Sequence, residues 1–353
     1  SKGLMVVSSL PLDRTAQAGR RSEVITTIAL IDPLNPAAAR TVAELPGGGW
    51  LNGEVSPDDR QLALTRYISA TESEIWLIDL TNGQRRRVLP ATGEPQWASH
   101  WLGGWSRDGR ALFITSDRAG EFKELMRLDL ARSTLTRLTG QIPWDANWGS
   151  GGADGRTAAI VVNTDGREEL RLIDNQTGQG RALPLLPSGS VTSAEFHPAL
   201  NELAMVVNSP QAPSQIHTMD LGTGQVTAWT QPVGTEGLNL ASLPEQQIVR
   251  WKSFDGRTIS GVLTLPPVRF KGPRPVVMVM HGGPHLVRAS QPFAANESAG
   301  LTYKSDRTVK CLLAVGVNLG GFPSRSRAWH EGGGIWGWNA SGGSGWPGGE
   351  RVG

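Results

Sequence analysis

The residues with the clearest chemical potential are His281-Gly282-Gly283-Pro284, which follow directly on the apolar run Pro275-Val276-Val277-Met278-Val279-Met280. A continuous apolar run of this length suits a strand in a sheet covered on both faces. Two glycines at its end let the backbone turn sharply and bring N–H groups up to a ligand without Cβ interference. Donors placed in that way stabilise a developing oxyanion. The plainer reading is a turn that ends a strand. A matching nucleophile would sit in Gly-x-Ser-x-Gly, and no such pentapeptide occurs in the chain. Ser106 follows Gly104 but has Asp108 where the second glycine belongs, and Ser344 follows Gly342 but has Trp346 there. His281 and His285 have the spacing of helical zinc ligands, yet the Gly-Gly-Pro between them forbids the helix. No metal and no cofactor are expected. His100, His197, His217 and His330 have no partner pattern and read as structural. Trp97, Trp101 and Trp105 recur every four residues, but Gly103-Gly104 interrupts any helix, so they are expected to pack between sheets. Arg85-Arg86-Arg87 reads as the solvated face of a polar strand.

Such a loop needs a scaffold, and composition bounds what the scaffold can be. With 353 residues, 39% hydrophobic and 19% charged, the chain is too apolar for disorder and long enough for two domains. The net charge of +2 comes from 34 basic and 32 acidic residues, which gives no support to a nucleic-acid partner. The single cysteine, Cys311, excludes an internal disulfide framework and a cysteine-based zinc site. No run of 18 apolar residues occurs, so neither a transmembrane helix nor a membrane partner is expected. The chain opens on Ser1-Lys2-Gly3 without an initiator Met or a signal pattern, from which a missing N-terminal stretch is expected. That leaves the compartment open between cytoplasm and periplasm, and the oligomeric state is not legible.

Internal repetition decides the architecture. A short apolar stretch ending in Asp recurs five times, closing at Asp32, Asp79, Asp129, Asp174 and Asp220, with intervals of 47, 50, 45 and 46 residues. The later copies carry an upstream turn: Asp59-Arg60, Asp108-Gly109-Arg110, Asp154-Gly155-Arg156 and the degenerate Asn201-Glu202. From the third residue of each turn to the closing Asp the distances are 19, 19, 18 and 18. β-rich runs such as Ala111-Leu112-Phe113-Ile114-Thr115 lie between these landmarks, and a further turn with a polar strand follows each Asp. Turn and strand in alternation predict one antiparallel sheet per repeat, and a period of about 45 residues with four short strands is the blade of a β-propeller. The first repeat lacks its upstream turn, so the chain is expected to begin partway round a ring, which commonly has about 4–8 blades.

The order of these parts resembles the prolyl oligopeptidase family of serine peptidases, which includes dipeptidyl and acylaminoacyl peptidases. The residues that carry the resemblance are the Asp-Gly-Arg turns, then Trp251-Lys252-Ser253-Phe254-Asp255-Gly256, then His281-Gly282-Gly283-Pro284. The resemblance implies a multi-domain protein: residues 1–243 a partial β-propeller of about five blades, and 244–296 the N-terminal part of an α/β-hydrolase domain. It further implies a Ser-Asp-His triad acting on short peptides, with the backbone N–H of Gly283 as an oxyanion donor. The nucleophile, Asp and His of that triad are expected to lie outside this chain, because only 69 residues follow Pro284. Residues 331–353 hold ten glycines and three charged residues, poor helix material, and 297–353 are expected to be a degenerate or frame-shifted tail. Two competing expectations are a non-catalytic propeller scaffold that binds peptides or proteins, and an esterase with the same hydrolase fold.

Overall fold

The computed structural model of the chain describes residues 5–9, 25–69, 71–94, 98–164, 167–183, 186, 189–209, 212–231, 237, 239, 246–252, 256, 258–265, 276–280 and 313–318. No helix occurs among the described residues. The described residues form twenty-three strands in six separate sheets. The first sheet has three strands, β1 (Met5–Ser9), β2 (Ile25–Asp32) and β3 (Asn35–Pro46). The second is β4 (Trp50–Val55), β5 (Gln61–Ser69), β6 (Glu72–Asp79) and β7 (Arg85–Leu89). The third is β8 (His100–Trp105), β9 (Ala111–Ser116), β10 (Glu124–Asp129) and β11 (Thr134–Arg137). The fourth is β12 (Ala146–Gly151), β13 (Thr157–Thr164), β14 (Arg167–Asp174) and β15 (Gly180–Arg181). The fifth is β16 (Ser190–Phe196), β17 (Glu202–Ser209), β18 (Ala212–Asp220) and β19 (Val226–Ala228). Each is an antiparallel meander, and the expected repeat of one four-stranded sheet per 45 or so residues is what the second to fifth sheets display.

The five sheets are blades stacked face to face. β4 lies against β8, β8 against β12 and β12 against β16, so the first strands gather at a common axis. Four apolar clusters fill the four gaps between blades. Ala63, Ile75, Leu77 and Leu89 of the second blade meet Leu102, Leu112, Ile114 and Leu128 of the third. Phe113, Leu125 and Leu138 of the third meet Ala158, Ile160, Val162 and Ile173 of the fourth. Period-2 alternation explains the split, since Leu112 and Ile114 point one way and Phe113 the other. That is why the second strands read as unbroken apolar runs. In the first blade the strand ending in Asp32 corresponds to the third strand of its neighbours, and β3 leads directly to β4. Its three strands are therefore the outer three of the repeat, with β1 in the place of a second strand.

The closing aspartates are turn residues. Asp79, Asp174 and Asp220 each accept hydrogen bonds from the backbone N–H groups two and three positions on. Each turn also needs a left-handed residue, supplied by Gly83, Gly178 and Gly224 at φ of 73°, 74° and 74°. In the third blade Ser133 occupies this position at φ 54°. Within blades, a buried glutamate five residues before the closing Asp ties strands together. Glu74 accepts from Arg66, Trp76 and Arg87, and Glu124 from Arg137 through two bonds. The Arg85-Arg86-Arg87 run is thus only partly the solvated face expected of it: Arg85 bonds the Glu44 carbonyl, and Arg87 pairs with Glu74.

The sixth sheet differs in kind. β20 (Gln246–Lys252) and β21 (Thr258–Thr264) form an antiparallel hairpin, and β22 (Val276–Met280) and β23 (Leu313–Asn318) run parallel, in the order β20-β21-β23-β22. A parallel pair requires a crossover connection rather than a tight turn.

Two glycine substitutions should move stability in opposite directions. Ser133→Gly relieves a left-handed non-glycine residue and is expected to stabilise by about 0.5–1 kcal/mol. Gly178→Ala strains the backbone and drives a Cβ into the Leu138 carbonyl, and should destabilise by more than that. Urea unfolding monitored by tryptophan fluorescence measures both.

Candidate functional site

Among the described residues, the place where side chains from several blades converge is the axis. The four inner strands share one irregularity: β4, β8, β12 and β16 each carry a register shift, at Leu51/Glu54, Leu102/Gly104, Trp148/Ser150 and Val191/Ser193. A bulge bends its strand and re-aims the side chains beside it. Glycine occupies the bulge where neighbours crowd it. A Cβ on Gly103 would lie 2.7 Å from Cγ of Trp148, and one on Gly149 would lie 2.9 Å and 3.0 Å from the carbonyl oxygens of Ala159 and Ala194. Trp148 uses the room so made, stacking on Phe113 at 4.3 Å between ring centroids and 10° between planes. Neighbouring blades are also joined at their inner strands by hydrogen bonds, from Trp105 Nε1 to the Glu54 carbonyl and from Phe196 N to Ser150 Oγ.

Glu54 is the titratable group that this arrangement perturbs. Its carboxylate lies beside the Trp148 indole: Oε2 and Nε1 are 3.5 Å and 3.3 Å from where a Cβ on Gly104 would stand. Glu54 is exposed as a residue, but partial desolvation of its carboxyl pushes it above its ordinary value, and the negative charge of Glu195 adds to the shift. Glu54 is on β4 and Glu195 on β16, with the inner strands of two blades between them. At one end of the axis the first turns of successive blades meet: Arg107 passes over Gly155, its Cδ 3.4 Å from a Cβ built there, and Nη1 donates to the Pro198 carbonyl at 3.5 Å.

Of the residues singled out by sequence, the histidines divide. His100 is buried, with Nδ1 2.9 Å from Ser116 Oγ, and burial first and the Arg118 charge second lower its pKa to about 4. His100 is therefore neutral near pH 7. His197 Nδ1 accepts from the backbone N–H groups of Ala199 and Leu200 and so caps a turn. His217 is buried on β18. Ser106, already excluded as a nucleophile, donates to Asp108 and accepts from Ala111 N, the duties of a turn serine. Trp105 packs in the gap between the second and third blades, and Trp101 lies against Tyr67 at 5.9 Å. His281, Gly282, Gly283 and Pro284 lie outside the described residues, as do Trp97, His285, Cys311, His330 and Ser344. Sequence reasoning missed the Glu54–Glu195 pair and the buried Ser116–His100 contact. Neither has a spacing signal: Glu54 and Glu195 are on strands of different blades, and His100 and Ser116 face each other across the pairing of β8 with β9 within the third blade. No group of three potential metal ligands occurs among the described residues. Nor is any helix among them long and apolar enough to cross a membrane.

The family model for the N-terminal β-propeller domain of prolyl oligopeptidase matches residues 49–232, just over half of the chain. The chain belongs to the prolyl oligopeptidase family. The matched segment begins at the second blade and ends just after the fifth, so family membership rests on the repeat. Among solved structures, a prolyl endopeptidase studied for inter-domain dynamics superposes with a TM-score of 0.67 at 16% identity, covering 93% of this chain and 46% of the other. Prolyl oligopeptidase B from Galerina marginata, bound to a 25mer macrocyclization substrate, gives 0.65 at 14%, covering 93% and 45%. A puromycin-hydrolyzing peptidase of Mycobacterium tuberculosis gives 0.58 at 17%, covering 89% and 50%. At such identities the likeness is one of fold, and the chain spans about half the length of each. No curated protein matches in sequence.

Two glutamates, Glu54 on an exposed stretch of β4 and Glu74 buried on β6, predict pH dependences of opposite sign. Glu54 titrates higher in the folded state than its ordinary 4.5, so folding is favoured while it is protonated and loses support as pH rises through the folded value. Glu54→Gln should therefore be more stable than the parent at pH 7, with the gap closing below pH 4.5. For Glu74, burial raises the pKa, but hydrogen bonds from Trp76 and Arg87 and the charge of Arg66 bring it net below 4.5. Its contribution is present above 4.5 and lost as pH falls, so Glu74→Gln should flatten the acid side of the stability profile. Urea midpoints measured across pH 3.5–7.5 for the parent and both variants test the signs.

Proposed function

We propose that this chain is the propeller and the opening strands of the catalytic domain of a serine peptidase that hydrolyses short peptides. The observation that carries the reading is the change of sheet type after the last blade. Five antiparallel meanders are followed by a mixed sheet in which β22 and β23 run parallel, and β22 ends at Met280, next to His281-Gly282-Gly283-Pro284. In open α/β sheets ligands are bound outside the carboxyl ends of parallel strands. On this reading His281-Gly282-Gly283-Pro284, which follows β22 in the sequence, supplies the loop at such an end.

The chemistry assigned to the segment is electrostatic. A serine hydroxyl, deprotonated by a histidine acting as general base, attacks the peptide carbonyl carbon, and the carbonyl oxygen gains negative charge. The N–H of Gly283 donates to that oxygen; a side chain at 282 or 283 would obstruct the approach. The propeller limits what reaches the site, which favours short peptides over folded proteins and disfavours the esterase alternative. Family membership and the parallel pair together disfavour a pure scaffold, because such a scaffold has no use for an oxyanion loop.

Two measurements test this. A fluorophosphonate probe should not label residues 1–353, which contain no Gly-x-Ser-x-Gly; specific, heat-sensitive labelling would mean that the nucleophile has been misplaced. Where these residues are followed by such an elbow, Gly283→Pro removes one oxyanion donor. It should then lower kcat for peptide hydrolysis about 10²–10³-fold with little change in KM. Unchanged kcat would remove Gly283 from the proposed site.

A further inference from the structure

Two Asn-Gly pairs occur in the chain, Asn52-Gly53 and Asn82-Gly83, and both lie in the second blade. In such a pair the asparagine side-chain amide is open to attack by the backbone nitrogen that follows it, because glycine has no Cβ to shield that nitrogen. The products are ammonia and a five-membered imide. Ring closure requires the nitrogen to swing onto Cγ, so hydrogen bonds that fix either group must first be broken. The fold treats the two pairs differently.

Asn82-Gly83 is the turn between β6 and β7. Asn82 Oδ1 accepts from Gln84 N at 2.8 Å, Asn82 N donates to Asp79 Oδ1 at 3.2 Å, and Gly83 N donates to the Asp79 carbonyl at 2.8 Å. The turn is also wedged against the first blade, since a Cβ on Gly83 would stand 2.3 Å from the Val42 carbonyl oxygen. Here the attacking nitrogen and the attacked amide are both engaged. Asn52-Gly53 lies instead in the bulge of β4. The register passes from Leu51 opposite Thr65 to Glu54 opposite Ala63, which leaves Asn52 and Gly53 without a Cα partner on β5. Asn52 is left-handed at φ 51°, a conformation asparagine tolerates, and both residues are exposed to water. No hydrogen bond holds the Asn52 side-chain amide among the described residues.

We propose that Asn52, and not Asn82, is a site of spontaneous deamidation, and that the bulge is what selects it. The Gly53 nitrogen gives its proton to solvent and bonds to Asn52 Cγ. The bond from Cγ to Nδ2 breaks, and Nδ2 leaves as ammonia with a proton from water. Water then opens the imide at either carbonyl, leaving an aspartate or an isoaspartate at position 52. The balance is amide plus water to carboxylic acid plus ammonia, with no oxidant or reductant. One negative charge is added to the inner strand two residues from Glu54, and the net charge falls by one unit from +2. Isoaspartate in addition lengthens the backbone of β4 by one methylene. The proposal does not depend on the peptidase reading.

Peptide mapping by mass spectrometry of residues 1–353, incubated at mildly alkaline pH, follows the gain of one mass unit at each site. Asn52 should convert about tenfold faster than Asn82, whose turn must first give up its hydrogen bonds. Ion exchange should resolve an acidic form that Asn52→Gln does not produce. In the urea-unfolded chain, where neither pair is held, the two rates should be equal. Absence of conversion at Asn52, conversion at Asn82 that is as fast, or an acidic form undiminished in Asn52→Gln overturns the proposal. A preference for Asn52 that survives unfolding also overturns it, because the selection then belongs to the flanking residues and not to the bulge.

Discussion

A β-sheet with apolar side chains on both faces is stable in water only between two other layers, and that requirement governs the chain from Ile25 to Trp229. Ala63, Phe113 and Ala159 face the next blade, while Leu62 and Leu64, Leu112 and Ile114, and Ala158 and Ile160 face the one before. Each fully buried side chain of this size contributes roughly 1.5–3 kcal/mol relative to exposure. No blade can therefore be removed without exposing two faces. Stacking of sheets that each twist around a shared edge brings the first strands together, and the axis is a consequence of the packing between blades.

Crowding at the axis accounts for the unusual features there. The bulges and the glycines at 103 and 149 are needed where one inner strand presses on its neighbour, and Trp148 fills what remains. Glu54 stays exposed on β4, and partial desolvation of its carboxyl with the charge of Glu195 holds it above the ordinary value.

What could be read from sequence followed from what is local. The closing Asp with its turn is local, so the repeat, its four strands and the count of about five blades could be read from spacing alone. The run Val276–Met280 was legible as a strand for the same reason. The parallel pairing of β22 with β23 was not, because 32 residues separate them and no periodicity links the two. The three-stranded form of the first blade was also hidden, since Met5–Ser9 carries no turn signal of its own. Arg87 read as a solvated charge because its partner, Glu74, is 13 residues away on an adjoining strand. At the candidate site, Gly282 and Gly283 stood out because glycine pairs are conspicuous after an apolar run. Glu54 and Glu195 did not, because nothing in either segment anticipates the other.

Perturbed carboxylates commonly mark functional sites, but in this fold the direction of the perturbation separates two causes. Asp79, Asp129 and Asp220 are held below the usual carboxylate range chiefly by backbone N–H groups at Thr81, Arg132 and Thr223. Asp58 and Asp108 are held down first by Ser56 and Ser106. Downward shifts recur in step with the turns of the second to fifth blades, and a feature repeated in this way cannot by itself distinguish one place on the ring. Glu54 is displaced the other way, by burial and by a like charge from a blade that is not its neighbour. A turn cannot produce that combination. The like-charged partner of Glu54, Glu195, is on another blade, so the upward shift depends on the tertiary arrangement while the downward ones follow the repeat.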